Sequence, residues 1–311
     1  MTTSRKLGAT VALGLLALSL STTSASAEPY VFELEKAPDG SIGYPADIND
    51  HDVIVGRTAD RAVKWYANGS AVDLGTFDAD LNANARAINN NGVVVGQSGI
   101  RAVRWNTNGD IDWLPGPAKQ CAANDINDSG VIVGTCDDSY NSFAVRWNTD
   151  GSRPSLLPPL PDDTRAGATG VNAEGLVVGW SANAAGERHA VAWSNGTTVR
   201  LGTGVSAANK VNDRGDISVT LDGHAVRWNL YTGTSTVLDT RSSSAEGINE
   251  YGVVVGSVAR YGTTQAVRWE DGQATALPPL LIDGSVNVAS AVNSSNNVVG
   301  VSHGRGVRWR G

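Results

Sequence analysis

Short apolar runs, most of them three residues long and closed by a glycine, recur along most of the chain, as in Val93-Val94-Val95-Gly96. Each run follows a polar turn, so that the repeated phrase is an apolar residue, Asn, two variable residues, Gly and then the run. An uninterrupted apolar run predicts a strand buried on both faces, as in a sheet packed between two others. The asparagines of the seven copies are Asn49, Asn89, Asn127, Asn172, Asn212, Asn249 and Asn293.

A second phrase, Ala-Val-Arg-Trp or a close variant, follows every copy and predicts a further strand. In the first six copies a leucine follows the tryptophan by eight to ten residues, and Asn-Gly or Asp-Gly pairs in this interval are typical of hairpin turns. Each unit therefore predicts four short antiparallel strands, and successive asparagines are 37 to 45 residues apart. The tryptophans are Trp65, Trp105, Trp147, Trp193, Trp228, Trp269 and Trp309.

Four-stranded units at this spacing are typical of the blades of a β-propeller. The seventh copy has no fourth strand before Gly311, whereas Tyr30–Leu34 is a spare strand near the N-terminus. Leu34 precedes the first repeated asparagine by 15 residues, the same distance that separates Leu74 from the second. We therefore predict an all-β fold over residues 28–311. It is a seven-bladed β-propeller of four-stranded antiparallel blades, its ring closed by the N-terminal strand pairing in the last blade.

The backbone of the turn explains the repeated asparagine. Asn at the first position and Gly at the fourth are typical of a type I turn that ends in a left-handed residue. The fourth residue is Gly in five copies, Asp52 in the first and Asn296 in the seventh. Asp and Asn tolerate the left-handed conformation best after Gly. We therefore interpret the column as a structural turn and not as a ring of ligands.

Residues 1–27 have the features of a secretory signal peptide. Arg5 and Lys6 precede an uncharged apolar stretch, and Ala25-Ser26-Ala27 fits the small-residue cleavage site. A transmembrane anchor is the alternative, but the stretch is shorter than the ~20 residues that a span needs. We expect a secreted, extracellular protein that begins at Glu28, with no membrane span in the remaining chain.

The charge balance and the two cysteines narrow the choice of partners. Lys plus Arg number 24 against 31 Asp plus Glu, and the net charge of −7 argues against nucleic acids and anionic membranes. Cys121 and Cys136 flank one predicted hairpin, and in an exported protein a disulfide is expected. The two face each other directly if only Asp128-Ser129 forms the loop. With a left-handed bulge at Gly130 they slip by one residue, and the ladder must be irregular.

The repeated phrases resemble the HAF repeat of bacterial extracellular proteins. The two copies most similar to it contain His189-Ala190-Val191-Ala192-Trp193 and His224-Ala225-Val226-Arg227-Trp228, and the resemblance covers residues from about 44 to 311. It departs from the family pattern at the aromatic third letter, which is Val here, and five of the seven copies lack the His. The resemblance implies secretion and a repeat fold, and it implies no activity.

The sequence contains no motif typical of a metal or cofactor site. Its four histidines lack metal-binding spacing. Asp125–Gly130 resembles the start of a calcium loop, but Cys136 stands at the twelfth position, where Glu is required, and the same frame recurs as a plain turn. We expect no metal and no cofactor. A cation precedes most of the repeated tryptophans, which we interpret as contacts between blades and not as an anion-binding ring: Lys64, Arg104, Arg146, Arg227, Arg268 and Arg308.

Differences between the copies indicate where a partner binds. The asparagine and the tryptophan are 16 residues apart in copies one, two, five and seven, but 20, 21 and 20 apart in copies three, four and six. We place the extra residues in the connections between second and third strands, which share one face of a propeller with the fourth-to-first connections. Varied loops on a rigid scaffold concentrate binding. Our first hypothesis is a secreted, non-enzymatic binding or scaffold protein, a monomer, that holds an extracellular protein or glycan on this face.

Seven residues in these connections are the candidate binding residues. Aromatic side chains dominate interface energetics, so the predicted anchors are Tyr140, Trp180 and Tyr261. The charged residues predicted to orient a polar partner are Asp137, Asp138, Arg188 and Arg260. The alternative hypothesis is a secreted hydrolase or lyase with its site at the channel mouth, which requires convergent carboxylates or histidines. The candidates for it are Asp78, Asp80, Asp162, Asp163, His189 and His224.

Overall fold

The computed structural model describes residues 29–149, 153–194, 196–281, 284 and 286–310. The predicted signal peptide, residues 1–27, lies outside this part of the chain. The described residues form strands and no helix, and the strands make seven four-stranded antiparallel sheets arranged around one axis. The predicted seven-bladed β-propeller is therefore confirmed.

The strands, in chain order, are β1 (Tyr30–Glu33), β2 (Tyr44–Ile48), β3 (Ile54–Arg57), β4 (Ala62–Trp65), β5 (Ala71–Asp73), β6 (Ala83–Ile88), β7 (Val94–Ser98), β8 (Arg101–Trp105), β9 (Ile111–Leu114), β10 (Gln120–Ile126), β11 (Ile132–Asp137), β12 (Ser142–Trp147), β13 (Ser155–Leu157), β14 (Arg165–Val171), β15 (Val177–Ala182), β16 (Arg188–Ser194), β17 (Thr197–Arg200), β18 (Ser206–Val211), β19 (Asp216–Leu221), β20 (His224–Asn229), β21 (Thr234–Val237), β22 (Ser243–Ile248), β23 (Val254–Arg260), β24 (Thr263–Glu270), β25 (Gln273–Ala276), β26 (Asn287–Val292), β27 (Val298–Ser302) and β28 (Arg305–Arg310). Blades 1 to 6 are β2–β5, β6–β9, β10–β13, β14–β17, β18–β21 and β22–β25. Blade 7 consists of β26, β27, β28 and β1.

The ring closes through strand β1, which is the fourth strand of blade 7. It pairs antiparallel with β28, with Tyr30 opposite Arg310 and Glu33 opposite Val307. The Leu34 N–H extends the pairing and donates to the Gly306 oxygen at 2.9 Å. The N-terminal strand and the last strand are thus held in one sheet. This confirms the prediction that the spare N-terminal strand replaces the fourth strand absent from the seventh copy.

The core lies between neighbouring blades, which explains the apolar runs of the second strands. One cluster, for example, joins Val95 of blade 2 to Cys121 and Trp147 of blade 3. The alanines four residues before the repeated asparagines are fully buried in this layer: Ala85, Ala123, Ala168, Ala208, Ala245 and Ala289. Five of the repeated tryptophans also donate from Nε1 to a backbone oxygen just beyond the fourth strand of the preceding blade, at 2.6–3.2 Å. Burial and these hydrogen bonds together fix each blade against the one before it.

The first turn of every blade has the predicted left-handed residue at its fourth position. Its φ lies between 60° and 84° in all seven copies, including Asp52 and Asn296. A β-bulge near the middle of the first strand, between Ala123 and Asp125 in blade 3, compensates for the extra turn residue. Cys121 therefore lies directly opposite Cys136, and the two form a buried disulfide. The left-handed turn and the irregular ladder both occur, as the second alternative predicted, and the bulge cancels the one-residue slip so that the cysteines are directly opposite.

Candidate functional site

The propeller has two unlike faces. The tight-turn face is formed by the connections between first and second strands and between third and fourth strands. The loop face is formed by the connections between second and third strands and by those that lead from one blade to the next. Predicted binding residues belong to the loop face, whereas the repeated asparagines belong to the tight-turn face.

On the tight-turn face the repeated asparagines form a closed ring of hydrogen bonds. In every blade the side-chain Nδ2 donates to the backbone oxygen of the equivalent asparagine in the next blade, at 2.9–3.1 Å. The bond from Asn293 to Asn49 closes the ring. The side-chain oxygen accepts from a backbone N–H four residues later, as from Val93 to Asn89 at 2.9 Å, and so holds the turn. The asparagine therefore has the predicted turn role and also a role between blades, which the turn pattern did not reveal.

The cations beside the tryptophans contact the same turns. Three of them donate to the backbone oxygen of the left-handed glycine in the next blade at 3.2–3.3 Å: Lys64, Arg146 and Arg227. At the seam of the ring, Arg308 of blade 7 pairs with Asp52 of blade 1 at 2.6 Å. Arg104 and Arg268 instead pair with a carboxylate of their own blade. Contacts between blades, and not an anion-binding ring, thus account for most of this column.

The central channel opens on the tight-turn face into a cavity of about 260 Å³. Lys210 lies in its wall, with Nζ 2.5 Å from Oδ1 of Asp125, and Asp47 is a second carboxylate there. Each carboxylate also accepts from a backbone N–H of the next blade, Asp47 from Ile88 at 3.1 Å and Asp125 from Val171 at 2.8 Å. Burial raises the pKa of Asp47, against the opposing effect of Lys210. Burial alone would lower the pKa of Lys210, but Asp125 and Asp47 raise it above its usual value. Lys210 and the two carboxylates therefore neutralise one another and connect blades 5, 3 and 1.

On the loop face the extra residues lengthen strands as well as loops, which corrects the predicted placement. In blade 6 the strands extend to Arg260 and begin again at Thr263, so the connection is only Tyr261-Gly262. Trp180 lies within β15 and Arg188 begins β16, and Asp137 ends β11. An insertion of four residues can be divided equally between two paired strands. Each strand then becomes two residues longer, and the connecting loop keeps its length.

Three of the predicted binding residues line one groove, here called the Trp180 groove, which has a volume of about 300 Å³. They are Asp137, Trp180 and Arg188, from the second and third strands of blades 3 and 4. The guanidinium of Arg188 lies over the indole of Trp180, 4.2 Å from the ring centre. The other polar side chains of the groove, which sequence reasoning missed, are Arg86, Gln97, Gln120, Asn124, Thr135 and Ser142. The feature of the sequence that could have identified them is that these strand positions differ between the copies.

The remaining predicted binding residues lie outside the groove. Tyr140 and Tyr261 are 88% and 98% exposed, in the connections of blades 3 and 6. Arg260 contacts the Tyr261 ring, 5.9 Å from its centre. Asp138 accepts hydrogen bonds from the backbone N–H groups of Tyr140 and Asn141 at 2.7 Å, and these bonds hold the pKa of its carboxyl below the usual range. Asp138 therefore shapes the turn that presents Tyr140.

Exposed apolar side chains are more numerous in the connections of the loop face than in those of the tight-turn face. Among the described residues, eight large ones in its connections are between 39% and 98% exposed: Ile42, Leu81, Ile100, Tyr140, Val205, Tyr261, Leu281 and Val286. We call this set the apolar rim. The tight-turn connections of the same part of the chain have three: Tyr66, Tyr231 and Tyr251. Single exposed apolar residues are ordinary, whereas several on one face are typical of a contact surface.

Of the six candidates for an enzymatic site, only Asp163 and His189 are hydrogen-bonded to each other, with Oδ2 3.0 Å from Nδ1. Asp80 and Arg101 occupy the same two repeat positions in blade 2 and pair at 2.9 Å. The Asp163–His189 contact is therefore a variant of a repeated ion pair. Neither residue lines the Trp180 groove or the channel cavity. His224 contacts the backbone oxygen of Arg241 instead.

In the part of the chain that the structure describes, no group of three or more His, Cys, Asp or Glu residues is arranged to hold a metal ion. No helix in the same residues is long and apolar enough to cross a membrane.

The sequence matches no protein-family model, and a comparison with curated proteins finds no match. Solved structures share the fold at low identity. Virginiamycin B lyase from Staphylococcus aureus is 13% identical with a TM-score of 0.65, over 91% of this chain and 99% of that one. A chain of the mitotic checkpoint complex is 11% identical with a TM-score of 0.63, over 96% of this chain and 99% of that one. A gluconolactonase from Xanthomonas campestris is 13% identical with a TM-score of 0.50, over 91% and 89%.

These similarities confirm the propeller fold and go no further. The similar structures include enzymes and a component of a protein assembly, so the fold is compatible with both functional hypotheses. The choice between them rests on the residues of this chain.

Proposed function

We propose that this chain is a secreted, non-enzymatic binding protein that holds a protein partner on its loop face. The observation that carries the proposal is the difference between the two faces. The loop face presents the apolar rim and the Trp180 groove, whereas the tight-turn face uses its polar groups to join blades. Exposed apolar residues together with a groove that contains Trp and Arg suit a protein interface, because protein interfaces combine apolar area with aromatic residues and Arg. The resemblance to HAF repeats and the disulfide support an extracellular setting.

The enzymatic alternative has less support. A hydrolase or lyase requires acid and base groups that converge on one cavity. The one hydrogen-bonded pair among the candidates repeats an ion pair of blade 2 and lies outside both described cavities.

A pull-down from culture medium and cell-wall extract, with residues 28–311 as bait, tests the proposal. The loop-face variant combines Leu81→Asn, Tyr140→Asn and Tyr261→Asn, three residues at least 88% exposed. Asn suits the positive φ of 49° at Tyr261. Because truncating aromatic anchors costs ~2 kcal/mol or more each, we expect capture to fall at least tenfold with an unchanged melting temperature.

The matched control combines Tyr231→Asn and Tyr251→Asn on the tight-turn face, which are 62% and 64% exposed. This control should capture the partner as the unaltered chain does. Loss of capture in the control with retention in the loop-face variant would reverse the assignment of the faces.

A further inference from the structure

The Trp180 groove contains an arginine that is stacked on an aromatic ring but has no anionic partner. The Trp180 ring lies flat on strand β14, where a Cβ at Gly167 would stand only 2.6 Å from it. The Arg188 guanidinium covers the ring at 4.2 Å. Stacking on an indole fixes the guanidinium plane and leaves its N–H edges free to bind a planar anion.

Four other arginines at this face are neutralised by a carboxylate oxygen within 3.2 Å: Arg61, Arg101, Arg241 and Arg305. Three more donate to a neutral oxygen instead: Arg57, Arg165 and Arg260. Among the described residues the Arg188 side chain has no carboxylate within 4 Å and donates no hydrogen bond. Arg188 therefore has neither kind of partner, and its guanidinium is ordered by the Trp180 ring.

A second arginine lines the same groove and is bound only by neutral groups. Nη1 of Arg86 donates to Oδ1 of Asn124 at 2.7 Å, and Nη2 donates to Oε1 of Gln97 at 3.2 Å. Its Nε is buried without a partner in the described structure. Burial lowers the pKa of Arg86, and the Asp137 charge only partly offsets that effect. The charged groups of the groove, two arginines and Asp137, sum to +1 within a chain of net charge −7.

We propose that the Trp180 groove binds the carboxylate of an acidic side chain in a peptide segment of the partner. This inference rests on the proposed function. A volume of about 300 Å³ is enough for one side chain, and Arg188 offers a carboxylate two parallel donors. One residue of the apolar rim lies beside the groove, since the Cys121 N–H in the groove wall donates to the backbone oxygen of Ile100. The segment that fits is an Asp or Glu flanked by apolar residues.

Phage display of random octapeptides against residues 28–311 tests this inference. Panning on the unaltered chain should enrich Asp or Glu next to aliphatic or aromatic residues. Panning on Arg188→Gln should lose the acidic preference. Panning on the matched control Arg260→Gln should retain it, because Arg260 lies on the same face beside Tyr261 but outside the groove. Melting temperatures of both variants show that each is folded.

A labelled copy of the most enriched peptide then gives the affinity by fluorescence anisotropy. We expect Arg188→Gln to weaken binding at least tenfold. Replacing the acidic residue of the peptide by its amide should weaken binding to the unaltered chain by a similar factor. The same replacement should have little further effect on binding to the Arg188→Gln variant. Peptides that bind without acidic preference and ignore Arg188→Gln would overturn the inference but leave the proposed function standing. No enrichment at all, or binding of trigalacturonate in place of peptides, would also overturn it. The proposed function fails in a different experiment, the pull-down, if the loop-face variant still captures the partner.

Discussion

Replacing Asn172 by aspartate separates the two roles of the repeated asparagine. The side-chain oxygen that accepts from the Leu176 N–H at 2.9 Å is retained, and aspartate suits the first position of this turn. The Nδ2 group that donates to the Asn212 oxygen at 3.1 Å is lost, and an anionic oxygen takes its place against that carbonyl. A residue needed only for its turn would tolerate the change, whereas a residue that joins blades would not.

The cost follows from the burial of the site. Asn172 is 3% exposed. Losing one hydrogen bond costs about 1 kcal/mol, and leaving buried oxygen atoms opposed without a proton costs about 1–3 kcal/mol more. The total of about 2–4 kcal/mol corresponds to a drop in melting temperature of roughly 3–7 °C for a domain of this size. Burial raises the pKa of the introduced carboxyl. The variant should therefore regain stability as the pH falls toward about 4, where the protonated group can donate again.

Guanidinium unfolding followed by tryptophan fluorescence measures the loss, and Asn68→Asp is the matched control. Asn68 accepts from the Ser70 N–H at 3.0 Å in an exposed turn, and its Nδ2 has no partner in the described structure. The control should stay within about 0.5 kcal/mol of the unaltered chain. Equal stability of both variants at pH 7 would refute a stabilising ring of asparagines.

Two further predictions concern the seam of the ring. Asp52→Gly matches the repeat pattern yet should destabilise the protein by about 1–3 kcal/mol at pH 7, because Asp52 accepts from Arg308 at 2.6 Å and from Asn293 at 2.9 Å. Burial favours a higher pKa for Asp52, but the bonds from Arg308 and Asn293 hold that pKa below its usual value. The loss of stability in Asp52→Gly should therefore become smaller as the pH falls through the lowered pKa of Asp52. A variant more stable than the unaltered chain would contradict this prediction. Deleting residues 28–33 removes β1 and should cause aggregation or a large loss of stability, visible by size exclusion and thermal melting, whereas an unchanged melt would show that the strand does not close the ring.

The fold could be predicted because its information is local and repeated. Every blade contains its own strands and turns within one unit, and the spare strand at Tyr30 matched the strand missing from the seventh copy. The hydrogen bonds between blades could not be predicted in the same way. The turn already explained Asn172, Asp52 and Asn296, so nothing in the column required a second partner. All three nevertheless form hydrogen bonds to a neighbouring blade.

The candidate site was predicted only in part, because its walls come from three blades. Trp180 and Arg188 were identified from the longer copy, but their stacking depends on the missing Cβ of Gly167. Arg86 and Asn124 were missed because they lie inside repeated strands, next to constant positions that predict only the fold. The equivalent residue in the fourth blade is Thr169, and this variation at a channel-facing position was the available signal.

The ring of asparagines leaves the number of blades free. Each repeat supplies one side-chain donor and one backbone acceptor, so the bonding balances for six, seven or eight repeats alike. The wedge angle between neighbouring sheets must therefore set the count, and the fully buried alanines such as Ala168 and Ala208 determine how closely the sheets approach at the narrow end. Genes for such arrays can gain or lose one unit by unequal crossing-over without leaving a repeated asparagine unpaired. Bulk at this alanine position, more than any polar contact, would then decide which ring size is stable.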